Sequence, residues 1–390
     1  MRGTLLRLDN PIRDYAWGSR TVLAELMGRP TPSPTPEAEL WLGAHPAAPS
    51  RVVDSGQPLT ELIATDPDRV LSAPVATRFG PRLPYLLKVL AADQPLSLQV
   101  HPDSAQAARG YEAEEAAGVP RTARHRRYVD PYHKPELLVA VTNFRALCGF
   151  REPVATAERL SELAVPELAP VVEALRAGDL AAAVRQVLTA PNPDALVAGV
   201  VRAAVDRPEF ALVGELAALH PSDPGVVLAL LLNEVTLAPG EAVFMPAGNL
   251  HAYLRGTGVE IMAASDNVLR GGLTSKYVDV PELLRLLRYE PLRDPVRRPV
   301  PVADGVVTWP VPVAEFALHR VQLTAEVPQA ELDRPGPRTV LCLAGEVRVE
   351  GGDESTVLRP GEAGFVPATT ARLQFSGAGE VFVASVGVEK

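Results

Sequence analysis

The chain has 390 residues and a formal net charge of −9. Hydrophobic residues make up 47% of it and charged residues 22%, which is typical of a globular protein with a large core and excludes a disordered chain. The negative charge argues against a nucleic-acid-binding surface. A chain of this length is expected to form two or three structural units.

The only cysteines are Cys148 and Cys342, which lie far apart and make no metal motif. Their spacing is typical of a protein from a reducing compartment. The first residues carry no apolar signal core, and the most apolar run, Gly225–Leu232, is too short to span a bilayer. We therefore expect a cytoplasmic protein with neither a membrane nor a nucleic-acid partner.

The first 150 residues predict mostly strands, with turns at Asp9-Asn10-Pro11 and Pro30-Thr31-Pro32. A polar, helix-prone insert from about Ser104 to Arg127 interrupts them.

From Glu152 to about Leu232, Ala, Leu, Glu and Arg dominate, and apolar residues recur at helical spacing. Prolines divide this stretch into several short helices. We predict a helical insertion over residues 151-235, and we favour a scaffold or lid without chemistry of its own.

After Val235 the pattern returns to strands, apart from a helix-like piece at Pro281–Leu287. An internal repeat appears here: Leu237–Ala247 recurs 121 residues later as Leu358–Ala368. Two related β units are therefore predicted.

The second copy of this repeat lacks a histidine that the first copy has. The position equivalent to His251 is Arg372, and the position equivalent to Gly248 is Thr369. The unit over residues 321-390 is therefore predicted to be structural and metal-free. Residues 1-150 and 236-320 would together form the catalytic region.

Four residues from separate stretches suit a divalent metal, and we expect Zn²⁺: Gln99, His101, Glu136 and His251. Strand alternation places Ser97, Gln99 and His101 on one face, opposite the apolar side chains between them. With one anionic ligand, the ion would keep positive charge and stabilise negative charge on a substrate.

The remaining histidines have no comparable setting and are interpreted as structural or exposed; they are His45, His125, His133, His220 and His319. Of these, His133 is the spare ligand if Gln99 does not bind the metal.

The spacing of Gly240, Pro246, Gly248 and His251 resembles the second sequence motif of the cupin superfamily, whose small antiparallel β barrels hold a metal inside. Pro-Gly turns before and after a short apolar strand would aim His251 inward. The resulting fold prediction is mainly β, with two cupin-like (jelly-roll) antiparallel β barrels and a helical subdomain.

Further motifs resemble the type I mannose-6-phosphate isomerase (phosphomannose isomerase) family, zinc enzymes of the cupin superfamily. They occur in the family's order at Asp14–Ser19, Glu39–Pro46, Pro84–Leu90, Leu96–Asp103, His133–Glu136 and Pro246–Tyr277. The region after about Val321 is similar only to a generic cupin half.

The resemblance implies interconversion of mannose 6-phosphate and fructose 6-phosphate, with one zinc per chain on Gln99, His101, Glu136 and His251. The small-molecule sugar phosphate would be the partner, and the chain is expected to be a monomer or weak homodimer. The resemblance also places these residues in the pocket: Trp17, Glu39, Lys88, Lys134, Tyr253, Asp266, Arg270 and Lys276.

An aldose–ketose isomerase must stabilise an enediol(ate) and move a proton between two carbons. Glu260 is a candidate for the proton transfer, because burial in an apolar strand would raise its pKa. The alternative is a carboxylate paired with an Arg for structure. Asp266 and Lys134 are rival shuttles, and the sequence does not decide among the three.

The substrate phosphate needs cations. Arg270 can grip it or the enediolate through its planar fork, helped by Lys276 or Lys88. Ser97 is a further candidate for contact with the phosphate or with a metal ligand. The alternative for the Lys and Arg side chains is solvated surface charge.

Three other functions remain open on the residues alone: a non-catalytic metal-binding cupin, an iron-dependent dioxygenase, and an isomerase of unphosphorylated mannose. The cations argue against the first. The second usually has more His ligands. Arg270 and Lys276 favour a phosphorylated substrate over the third.

Overall fold

The structure is a computed structural model that describes residues 5–352, 354–370 and 372–387. The strands, in chain order, are β1 (Leu6–Asp9), β2 (Ile12–Arg13), β3 (Glu39–Gly43), β4 (Arg51–Val52), β5 (Tyr85–Ala92), β6 (Leu98–Val100), β7 (Glu136–Ala140), β8 (Phe144–Phe150), β9 (Leu232–Leu237), β10 (Ala242–Met245), β11 (His251–Ala263), β12 (Leu269–Gly272), β13 (Val296–Arg297), β14 (Val300–Ala303), β15 (Val306–Thr308), β16 (Ala317–Leu323), β17 (Gln329–Asp333), β18 (Arg338–Gly351), β19 (Glu354–Leu358), β20 (Ala363–Val366) and β21 (Arg372–Ser385).

The α-helices are α1 (Val22–Leu26), α2 (Leu59–Thr65), α3 (Pro67–Leu71), α4 (Ala73–Phe79), α5 (Ser104–Ala116), α6 (Pro153–Ser161), α7 (Ala169–Arg176), α8 (Leu180–Leu188), α9 (Pro193–Ala204), α10 (Ala211–Leu219), α11 (Gly225–Leu228) and α12 (Val280–Leu286). Short 3₁₀ turns lie at Pro166–Leu168, Pro208–Phe210 and Ala229–Leu231. No helix of the described residues is long and apolar enough to cross a membrane.

The described strands form two antiparallel sheets, which confirms the mainly β prediction. The first has 11 strands, ordered β13-β10-β7-β11-β5-β3-β2, with β6, β8, β9 and β12 attached alongside. Its central strand, β11, pairs with β6 and β8 near its start and with β5 and β7 near its end.

Strand β11 changes partners at Gly256, where φ is +129° and an added Cβ would lie 2.7 Å from the carbonyl oxygen of Asn143. A larger residue would force the strands apart at this crossing. As a result, the part of β11 that contains His251 pairs with β6 and β8, and the part that contains Glu260 pairs with β5 and β7.

The second sheet has 10 strands, and most come from the C-terminal part of the chain. Two strands from the other end of the chain complete it, because β1 pairs with both β20 and β4. This long-range pairing is not visible in the local sequence pattern.

The predicted repeat is a shared strand–turn–strand unit. Gly240 and Gly361 occupy the same turn position with φ of +87° and +79°. The Glu241 carboxylate accepts from the Ala238 N–H at 3.0 Å, and the Glu362 carboxylate accepts from the Arg359 N–H at 2.9 Å. A Gly in the left-handed region followed by a Glu that satisfies the turn is therefore used twice.

Helices α6 to α11 follow one another over residues 153–228, as the helical periodicity predicted. Their apolar faces share one core cluster with Leu98 and Val100 of β6 and with Leu250. Because side chains alternate across a strand, burying Leu98 and Val100 against the helices turns Gln99 to the opposite face. The helical insertion thereby determines which face of β6 carries Gln99.

The prediction of mostly strands before residue 150 missed four short helices, α1 to α4. Helix α3 begins at a proline after Asp66, whose side chain accepts from the Arg69 N–H. These signals are present in the sequence, but each helix spans only five to seven residues and shows no clear periodicity. Helix α12 was predicted correctly to within a residue.

Candidate functional site

His101, Glu136 and His251 meet in one buried cluster. Glu136 and His251 begin β7 and β11, and His101 directly follows β6. One Glu136 oxygen, Oε2, lies 3.3 Å from His101 Nε2 and 3.2 Å from His251 Nε2. The three ligand atoms all lie within 4.8 Å of one another, so this cluster could hold a metal ion.

Both imidazoles are oriented by backbone carbonyls. Nδ1 of His101 lies 2.8 Å from the Asn267 carbonyl oxygen, and Nδ1 of His251 lies 3.0 Å from that of Asn249. A carbonyl can only accept, so each Nδ1 carries a proton and each Nε2 is the ring nitrogen that faces Glu136. This arrangement is common for metal-binding histidines.

His101 also meets the electrostatic requirement for a ligand. Its Nε2 is buried and makes no hydrogen bond in spite of its short distance to Glu136. Burial lowers the pKa of His101 to about 4, so the ring is neutral near pH 7. A buried nitrogen without a partner is costly, and a metal ion would remove that cost.

Glu136 stays ionised in this buried setting. Lys134 Nζ lies 2.5 Å from its second oxygen, Oε1. Burial acts to raise the pKa of Glu136, but Lys134 and His101 outweigh it and hold that pKa well below its ordinary value. The site thus presents one anionic carboxylate between two imidazoles.

Gln99, the fourth predicted ligand, lies on β6 between β11 and β12. It is paired in register with His251 on one side and with Arg270 on the other. Its side chain is half-buried. The backbone therefore brings Gln99 beside the cluster, and its binding to metal remains a prediction.

His133, the spare ligand, lies outside the cluster. Its Nε2 is 2.7 Å from the Glu315 carboxylate, in the segment between β15 and β16. Like the other histidines outside the motif, it was interpreted as structural, and this contact fits that interpretation.

Glu260 is buried in a polar network beside the cluster. Its carboxylate accepts from Tyr253 Oη at 2.7 Å and from Lys88 Nζ at 3.2 Å. Lys88 is also 3.5 Å from Glu39, which accepts from Trp41 Nε1 at 2.7 Å. The partner of Glu260 is a lysine, where the structural alternative had anticipated an arginine.

The pKa values of Glu260 and Lys88 are both raised in this network. Burial raises the pKa of Glu260, although Lys88 opposes this shift. Burial acts to lower the pKa of Lys88, but Glu39 and Glu260 outweigh it and raise that pKa. Register places Glu136 opposite Met262, so Glu136 and Glu260 are diagonal neighbours on one face of the sheet.

Asp266 lies near the protein surface, with about half of its side chain exposed. Its Oδ1 is 3.2 Å from His45 Nε2. Burial acts to raise the pKa of Asp266, but the hydrogen bond from His45 outweighs it and lowers that pKa. From the sequence, His45 was interpreted only as structural or exposed, and its contact with a predicted site residue was missed.

A second group that was missed from the sequence holds the segment before β12. Asp130 accepts from Ser265 Oγ at 2.8 Å and from the Asp266 N–H at 2.8 Å. Asn267 donates to the carbonyl oxygens of Asp130 and Tyr132. This segment in turn supplies the carbonyl that orients His101. The polar run Ser265–Asn267, buried at both ends, is the signal that points to it.

Arg270 and Lys276 line one cleft of about 280 Å³. Burial lowers the pKa of Arg270, and the positive charge of Arg270 is the main cause that lowers the pKa of Lys276. Trp17 packs against the core cluster that contains Tyr253, and Ser97 is half-buried just before β6. The roles of these pocket residues remain predictions.

Two imidazoles and a carboxylate, buried together on strands of an antiparallel sheet, define a β protein with a candidate metal centre. Comparison with known proteins narrows this class. Residues 5–153 match the family described as phosphomannose isomerase type I, catalytic domain, and residues 306–386 match the mannose-6-phosphate isomerase cupin domain.

Curated relatives match almost the whole chain. The mannose-6-phosphate isomerase of Salmonella typhimurium is 38% identical, over 96% of this chain and 98% of that protein. The Escherichia coli protein of the same name is 37% identical over the same shares. The crystal structure of a zinc-bound mannose 6-phosphate isomerase has a TM-score of 0.90 at 36% identity, and the match covers 98% of this chain and 100% of that one. The chain therefore belongs to the type I phosphomannose isomerase family and is an isomerase, as the sequence motifs predicted.

Proposed function

We propose that this enzyme interconverts mannose 6-phosphate and fructose 6-phosphate through an enediol(ate), with one Zn²⁺ held by Gln99, His101, Glu136 and His251. The observation that carries the proposal is the position of Glu260. A buried carboxylate with a raised pKa shares one sheet face with a buried two-histidine, one-glutamate cluster. Full-length similarity to relatives of that name supports the substrate.

The donor set suits zinc: two imidazoles, a carboxylate and, from Gln99, an amide oxygen. When bound there, zinc supplies a Lewis acid for the oxygens that carry the enediolate charge. The buried setting strengthens such stabilisation, because water is excluded from it.

Glu260 is the proton shuttle in this proposal. Proton transfer is most efficient when the pKa of the shuttle lies near the operating pH, and burial moves Glu260 in that direction. Tyr253 and Lys88 hold one carboxylate oxygen each and so fix its orientation. The rivals are engaged elsewhere, Lys134 with Glu136 and Asp266 with His45.

Binding of the sugar phosphate falls to the remaining pocket residues. Arg270 and Lys276 line a single cleft next to Gln99, and Ser97 lies two residues before Gln99. Two cations close together repel one another, and a phosphate between them would offset that repulsion. We expect Trp17, Glu39 and Lys88 to contact the substrate as well.

The direct test is turnover with and without metal. Purified protein is treated with a chelator, dialysed and assayed with mannose 6-phosphate before and after addition of Zn²⁺. We expect fructose 6-phosphate only from the zinc-loaded sample. Unphosphorylated mannose serves as the substrate control and should turn over far more slowly. Equal rates after complete zinc removal would reject the proposal.

We propose further that the two sheets form two cupin-like barrels, with the catalytic region over residues 1-150 and 236-320, the helical insertion over 151-235 and a metal-free unit over 321-390. Pairing of β1 with β20 adds a strand from the first of these regions to the second sheet. We also propose that the protein is a monomer or weak homodimer in the cytoplasm. Sedimentation velocity tests the oligomeric state.

A further inference from the structure

The cleft lined by Arg270 and Lys276 also contains arginines that none of the sequence motifs singled out. Besides Arg270 and Lys276, the lining includes Arg124, from the segment between α5 and β7. Within the described part of the chain, Arg124 makes no hydrogen bond or ion pair. The neighbouring Arg126 and Arg127 are both paired with Glu114.

We propose that Arg124 is a substrate-binding residue that contacts the phosphate of the sugar phosphate and sets the preference for a phosphorylated substrate. This inference rests on the proposed function. It adds Arg124 to Arg270 and Lys276 as a third contact for the phosphate.

The charge balance of the cleft supports this assignment. The lining has one carboxylate, Asp279, and that group is already 3.2 Å from Arg127 Nη1. Arg124, Arg270 and Lys276 are thus three positive charges without a carboxylate partner among the described residues, in a chain of net charge −9. Such a cluster is unfavourable until an anion binds, and a phosphate with nearly two negative charges matches it.

The backbone around Arg124 is held in place, so its position does not depend on a free loop. The Ala123 N–H donates to the Pro120 carbonyl oxygen and the Arg126 N–H to that of Ala123, each at 3.0 Å. The Arg126 guanidinium, almost fully buried, reaches Glu114 at 3.0 Å. Arg127 ties the segment across the cleft to Asp279, three residues beyond Lys276. Pre-ordering of this kind reduces the entropy lost on binding.

The test compares Arg124→Ala with Arg121→Ala in the zinc-loaded enzyme. Arg121 is an exposed arginine three residues away that already contacts the Tyr111 hydroxyl. Both variants lose one positive charge, so a general field effect would change both alike. We expect Arg124→Ala to raise KM for mannose 6-phosphate about tenfold with kcat within about twofold, because a charge-assisted hydrogen bond is lost. Arg121→Ala should leave KM within about twofold, and Arg124→Lys should recover part of the loss.

A second measurement separates this inference from the proposed function. Binding of inorganic phosphate to the zinc-loaded proteins is measured by titration calorimetry, which needs no turnover. We expect weaker phosphate binding in Arg124→Ala than in Arg121→Ala. Indistinguishable KM and phosphate affinity in these two variants would overturn the role of Arg124. Absence of turnover in the unmodified enzyme would reject the proposed function, while the phosphate titrations would still decide the role of Arg124.

Discussion

The two copies of the strand–turn–strand unit differ mainly in the residue that begins the next long strand. In the first copy, β11 begins at His251, whose side chain is 3% exposed and points at Glu136. In the second copy, β21 begins at Arg372, whose side chain is 55% exposed and pairs with Glu331 at 2.9 Å. The turn glycines and glutamates play the same part in both.

This difference separates the residues that build the strand pair from those that give it chemistry. The Pro-Gly-Glu turn needs only a left-handed glycine and a side chain that caps the turn. The metal cluster needs three side chains from distant strands to converge, and one substitution at the strand start removes that. Among the described residues, the second unit contains no group of His, Cys, Asp and Glu that could hold a metal ion.

The strongest test of the comparison is His251→Ala against Arg372→Ala. We expect His251→Ala to lose zinc and to lower kcat/KM by about 10³-fold or more, because several kcal/mol of charge stabilisation disappear with the metal. Arg372→Ala should keep both within about twofold. Metal content by mass spectrometry and steady-state rates provide the measurement. Stoichiometric zinc in His251→Ala would remove His251 from the site.

We expect a smaller effect from Arg270→Ala. This variant changes the lining of the cleft but none of the cluster residues His101, Glu136 and His251. Turnover should fall about 10²-fold with zinc retained, because a positioned cation at the substrate is lost. The control is Arg255→Ala, an exposed arginine on β11 that pairs with Asp93. Rates for Arg270→Ala equal to those of this control would contradict the assignment.

Each sheet buries a histidine whose pKa is lowered to about 4, His101 in the first and His319 in the second. The pH dependence of stability tests the shift at His319. Burial is the main cause for His319, whose ring nitrogens make no hydrogen bond within the described residues. Its folded pKa lies below the ordinary value of 6.5, so the unfolded chain binds the extra proton between these values. Stability is therefore full above about pH 6.5 and falls as the pH drops toward 4.

Because the unfolded chain takes up this proton, lowering the pH from 7 to 5 should reduce the unfolding free energy of the unmodified protein. The reduction should be about 2 kcal/mol larger than in His319→Leu, which lacks the titrating group. Denaturant melts at the two pH values measure it, and titrations shared by both proteins cancel in the difference. Identical pH slopes for the two proteins would show that His319 does not titrate in this way.

The smallest effect is expected at the turns themselves. Glu241→Ala and Glu362→Ala each remove a carboxylate that accepts a backbone N–H, and each should lower the unfolding free energy by about 1 kcal/mol. Neither should release zinc. Chemical denaturation and metal analysis check both expectations, and a loss of zinc in Glu241→Ala alone would show that this turn also supports the metal site.

Sequence was most informative where alternation and periodicity act locally. The buried Leu98 and Val100 beside the half-buried Gln99 follow directly from strand alternation. The helical insertion likewise follows from its spacing of apolar residues. The turn repeat was visible because two identical residues, Gly and Glu, meet the same backbone requirement twice.

Contacts between distant segments were harder to predict. Lys88 as the partner of Glu260 depends on the register of β5 against β11, which no local pattern encodes. The bond between His45 and Asp266 joins two loops that are far apart in the chain. Arg124 was hidden in a polar stretch that resembles solvated surface. In each case the residue type was ordinary, and the fold determined its surroundings.

The pairing of β1 with β20 has a consequence for how this protein is made. The strand at Leu6–Asp9 is synthesised long before its partner at Ala363–Val366. Closing such a long loop is slow, so β1 must wait with an unpaired edge while the sheet that contains the candidate metal site takes shape. A nascent chain stalled before residue 363 would present that edge to other chains, so the interval between synthesis of the two strands is the stage most exposed to aggregation.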